Sequence, residues 1–72
     1  MPDSVTFKVS ELGTDRRTLE RRLKNYSKAD KDLYNTLNFY LELAIENIDR
    51  LRDYTRVRIN ENGISVPSRG VG

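Results

Sequence analysis

Val5-Thr6-Phe7-Lys8-Val9-Ser10 alternates apolar and polar side chains at every step, the period of two that marks a strand with one buried face. Such a strand sends Val5, Phe7 and Val9 to one side and Thr6, Lys8 and Ser10 to the other. Gly13 breaks the alternation, and Thr14 or Asp15 can cap a helix start. Over residues 15–26 the period changes. Leu19, Leu23 and Tyr26 follow at spacings of four and three, giving one narrow apolar stripe. Arg17, Arg21 and Lys24 fall on the opposite face, with Arg16 and Arg22 on the flanks.

Ser27 can cap a second helix that begins at Lys28, with Asp30 three residues on in a capping-box position. No residue from there to Tyr54 is a helix breaker, and Leu37, Leu41, Ala44, Ile48 and Leu51 recur at 4-3-4-3. Leu33, Tyr40, Leu43 and Ile45 widen this stripe. A helix over 28–54 is about 40 Å long, and the first helix covers less than half of it. Alternation then returns. Val57 and Ile59 alternate with Arg56 and Arg58, Asn60-Glu61-Asn62-Gly63 turns, and Ile64 and Val66 follow. This predicts a hairpin over 55–66 whose loop pairs Ile59 with Ile64 and Val57 with Val66, resting on the long helix as a satellite. Residues 69–72 read as a disordered tail. The expected fold class is mainly α with short β, in one small domain over residues 1–68, with strand, short helix, long helix and C-terminal hairpin in that order.

Composition narrows what such a chain can do. A chain of 72 residues buries only about 60% of the surface it exposes when unfolded, so a lone core is marginal. It has no cysteine and no histidine, which removes disulfides, zinc ribbons, the commonest metal ligand and the commonest general base. A partner subunit is the remaining staple. The expectation is an intertwined homodimer in which Val5, Phe7, Val9, Leu37, Leu41, Ala44, Ile48 and Leu51 meet a second copy. The glycines at 13, 63, 70 and 72 make no phosphate loop, and no serine has a histidine to activate it. The chain is therefore expected to be no enzyme, with no cofactor and no metal. No run is apolar enough for a membrane span, and Met1-Pro2-Asp3-Ser4 lacks a signal-peptide layout. The expected location is cytoplasmic.

The net charge is only +2, but it is unevenly placed. Residues 1–26 carry six basic and four acidic groups, residues 28–54 four and six, and residues 55–72 three and one. Positive flanks around a negative middle suit contact with an anion. The dense basic run of the first helix points to phosphate, while a solvated face with Glu20 paired to Lys24 is the plainer account.

Two resemblances bear on this. Gly13 to Leu23 is similar to the turn and recognition helix of AraC-type regulators, which implies a helix-turn-helix. Strand, short helix, capped turn and longer helix, from about Val5 to Leu43, resembles the ribbon-helix-helix repressors of the MetJ/Arc superfamily. That likeness implies a homodimer whose paired N-terminal strands enter the major groove of double-stranded DNA, a transcriptional repressor. By position it places Thr6, Lys8 and Ser10 on base edges and Val5, Phe7 and Val9 in the dimer core. Arg16, Arg17, Arg21, Arg22 and Lys24, with the helix start at Ser27 and Lys28, would take phosphates. The alternative is a helical protein-interaction or oligomerisation module, using the long helix and no nucleic acid.

Overall fold

The computed structural model describes residues 4–66. The first strand, β1 (Val5–Lys8), forms where the alternation begins but stops at Lys8 rather than Ser10. The Glu11 carboxylate accepts a hydrogen bond from the Lys8 N–H at 2.7 Å, and the chain winds into a 3-10 turn over Val9–Gly13. Helix α1 (Arg16–Ser27) starts on Asp15, whose carboxylate accepts from the Arg17 N–H at 3.0 Å and the Thr18 hydroxyl at 3.1 Å.

The long helix expected over 28–54 is broken twice. Ser27 does not cap it. Ser27 is the buried last residue of α1, and its hydroxyl donates to the Lys24 carbonyl at 3.1 Å. Lys28 and Ala29 then turn left-handed, with φ of 50° and 70°. Asp30 is the cap instead, accepting from the Leu33 N–H at 3.1 Å, and α2 runs over Lys31–Glu46. Asn47 ends it. Its side-chain amide donates to the Leu43 carbonyl at 2.8 Å, a local bond that competes with the helix ladder. A single turn, α3 (Ile48–Leu51), follows.

The C-terminal hairpin forms from β2 (Arg56–Asn60) and β3 (Gly63–Ser65). Ile59 faces Ile64 as the pattern predicts, but Asn60 pairs with Gly63, so the connection shortens to Glu61-Asn62. The ladder ends at Arg58 opposite Ser65, before Val57 can face Val66. Nor is the hairpin a satellite. The antiparallel sheet has the order β1-β2-β3, which makes β2 its central strand. Val5 faces Ile59, and Phe7 faces Val57. The expected tail at 69–72 lies outside the described residues.

These pairings change the fold class to mixed α/β, with a three-stranded antiparallel sheet packed under two long helices. Val5, Phe7, Val9, Leu12, Leu19, Leu23, Leu37, Leu41, Ala44, Val57 and Ile59 form one buried core within a single chain. The stripe of α2 is thus covered by the chain's own sheet, and the premise of an uncovered stripe awaiting a second copy does not hold. Val5, Phe7, Val9, Leu37, Leu41 and Ala44, expected to meet a second copy, are buried in this core within one chain, and Ile48 and Leu51 pack half-buried against it. Each layer supplies apolar residues to this core at its own period, two for the strands and 3.6 for the helices. Among the described residues, no helix is long and apolar enough to cross a membrane.

Candidate nucleic-acid interface

With Val5, Phe7, Val57 and Ile59 turned inward to the helices, the alternate residues of each strand turn outward. The pairing register arranges them in rows. Thr6, Arg58 and Ser65 lie across the sheet in one row, and Lys8 faces Arg56 in the next. Lys8, Arg56, Arg58 and Ser65 are exposed, and Thr6 and Asn60 half-buried. The three strands contain no acidic residue. Among the described residues, none of these three cations takes part in an ion pair.

That arrangement is costly. Like charges directly opposite each other across paired strands destabilise a sheet, and Lys8 and Arg56 are such a pair. An anion laid on the face removes the repulsion. Arg56 and Arg58 escape a reading of the sequence because they reach Lys8 only through the pairing of β1 with β2. Their own alternation with Val57 and Ile59 shows an outward face but not which residues share it.

The residues expected to touch DNA separate into distinct places. Thr6 and Lys8 lie on the sheet face, whereas Ser10 sits in the 3-10 turn beside a shallow depression shared with Arg52, Tyr54 and Thr55. Arg16 bridges the helices, with contacts to Glu20 at 3.2 Å, Glu42 at 3.1 Å and Asn38 at 3.3 Å. Arg22 reaches Glu11 at 3.4 Å, donates to the Thr6 carbonyl and lies 4.6 Å from the centre of the Phe7 ring. Both arginines hold the fold together. Ser27 is buried, and the Lys28 N–H is spent on the Lys24 carbonyl at 3.0 Å. Neither offers the free N–H groups a phosphate needs at a helix start. Arg17, Arg21 and Lys24 remain exposed on the outer side of α1, away from the sheet.

Lys24 also lies over the Tyr34 ring, its ammonium 5.8 Å from the centroid. Together with Ser27, Ala29, Asp30, Lys31 and Asn35 these two residues line a mostly apolar hollow of about 330 Å³. Burial raises the Tyr34 hydroxyl above its ordinary pKa, nearby Glu20 adds to the shift, and Arg16 opposes it. A second groove, of about 500 Å³, runs between Ser4, Val5 and Thr6 on one side and Arg22, Asn25 and Tyr26 on the other. Compared with known proteins, the chain matches no protein-family model, no curated protein and no solved structure.

Proposed function

We propose that the chain binds double-stranded DNA through the open face of its sheet, with β1 and β2 presented to the major groove. The observation that carries this reading is the Lys8–Arg56 opposition, with Arg58 beside it and no acid on the strands to relieve it. Strands lie about 4.8 Å apart, and a two-stranded ribbon fits a major groove about 12 Å wide. Arg58 and Lys8 suit guanine edges or phosphates, and Thr6, Ser65 and Asn60 supply hydroxyl and amide groups between them. Duplex is favoured over single strands, because none of these outward residues is the aromatic on which unpaired bases stack. A role in transcription regulation is part of the same proposal.

Fluorescence anisotropy on a labelled duplex, repeated at several stated salt concentrations, tests it. Three phosphate contacts give a slope of log affinity on log salt of about −2.7. Lys8→Ala, Arg56→Ala and Arg58→Ala should each flatten that slope by about one unit. None of the three is buried, so each variant should keep the wild-type circular dichroism spectrum. Salt-independent binding, or a slope untouched by all three changes, overturns the reading.

A further inference from the structure

The outer surface of the helix layer is polarised. On α1, Arg17, Arg21 and Lys24 follow at spacings of four and three and are all exposed, so they form a straight cationic row opposite Leu19 and Leu23. On α2, Asp32, Phe39, Glu42 and Glu46 make the corresponding outer row, opposite Leu37, Leu41 and Ala44. Phe39 sits in the middle of that acidic row and is 57% exposed, the one large apolar side chain so exposed among the described residues. Among the described residues, Arg17, Arg21, Asp32 and Glu46 take part in no ion pair.

We propose that this surface binds a second copy of the same chain, through a two-fold axis that lies in the contact plane parallel to the helices. The choice of axis follows from charge. A two-fold axis across the helices sets α1 on α1 and α2 on α2, and like charges then meet. One parallel to them sets each α1 on the other copy's α2. That operation also preserves height along the helices, and contacts within the chain fix the heights. Arg16, at the start of α1, reaches Asn38 and Glu42, while Lys24, near its end, lies over Tyr34. In the dimer, Arg17 of one copy therefore stands level with Phe39 and Glu42 of the other, Lys24 comes near Asp32, and Arg21 falls at a height between them, its long side chain within reach of the Phe39 ring. Guanidinium over an aromatic face is itself attractive. This contact leaves both sheet faces outward and uses none of their residues, so it stands or falls apart from DNA binding.

Sedimentation velocity in the absence of nucleic acid tests it with two charge-reversed variants of the full chain. Arg17→Glu with Arg21→Glu makes both helix rows acidic, and Asp32→Lys with Glu46→Lys makes both basic. Each variant alone should sediment as one chain where wild type forms dimers. An equimolar mixture should regain a dimer, as a heterodimer of affinity comparable to wild type, because both helix contacts are then complementary again. Salt should weaken the wild-type and mixed dimers alike. Wild type at the mass of one chain at several hundred micromolar overturns the proposal, as does either variant dimerising normally or a mixture that stays monomeric. Masses rising past two chains signify a head-to-tail contact and overturn the two-fold axis. Should a double variant fail to fold, Phe39→Ser decides, with at least a tenfold weaker dimer expected and an unchanged one contradicting the proposal.

Discussion

The guanidinium of Arg22 lies over the ring of Phe7, 4.6 Å from its centre, and bonds the carbonyl of the preceding residue, Thr6. A residue of α1 thereby covers both the core aromatic of β1 and a polar group of the same edge strand.

Arg22→Ala should cost about 1–2 kcal/mol of stability, from the lost ring contact and the carbonyl left without its donor. Arg22→Lys should recover only part, since an ammonium cannot lie flat on the ring while reaching the carbonyl. Urea denaturation measures both. A loss below about 0.3 kcal/mol, the level of an ordinary surface change, refutes the structural role.

Removing the hairpin should unfold the whole chain. Val57 and Ile59 have no solvent exposure, and their strand is the middle one. Ile59→Ala alone should cost about 2–5 kcal/mol, a large share of a stability of about 5–15 kcal/mol. Far-UV circular dichroism of a chain ending at residue 54 should show helix content collapsed. Intact helix content would mean that the helices find their core without β2.

Ala29→Gly should stabilise the protein by about 1 kcal/mol. Ala29 sits at φ 70°, where a Cβ costs about 1–2 kcal/mol and glycine fits freely. The gain is smaller than the strain because glycine also loosens the unfolded chain. A lower thermal midpoint for the variant would contradict this.

Tyr34 sets an alkaline limit. Its hydroxyl is raised above 10 in the folded protein, chiefly by burial, so folding favours the protonated form. Its contribution is complete below the unfolded value near 10 and is lost as pH rises through the folded value. Stability measured from pH 8 upward should therefore decline above about pH 10, and Tyr34→Phe should make that decline shallower. An identical decline in both proteins would rule out Tyr34 as its source.

How far the sequence reveals this molecule depends on how local each signal is. The strand at Val5–Lys8, the caps at Asp15 and the Ile59–Ile64 pairing rest on neighbours a few residues apart, and patterns of period two or 3.6 expose them. The break at Lys28-Ala29 was hidden because neither is a residue that favours a left-handed turn, and Ser27 mimics the cap that Asp30 supplies. The break at Asn47 turns on one side-chain amide choosing a backbone carbonyl. The candidate site was half legible. Thr6 and Lys8 stood out on their strand, but Arg56 and Arg58 join them only through pairing across most of the chain. Two arginines of the conspicuous basic run, Arg16 and Arg22, proved to be struts.

The pairing of Val5 with Ile59 also dictates an order of events at synthesis. Closing a loop of that length costs about 3.5 kcal/mol in chain entropy beyond a constant, and helices that shorten the path between the two strands reduce that cost. On a ribosome adding about 5–20 residues per second, β1 leaves the tunnel seconds before β2 exists. Through that interval Val5 and Phe7 lack Ile59 and Val57, the residues they face in the folded sheet. The nascent chain thus carries an apolar strand with both edges unpaired until β2 arrives.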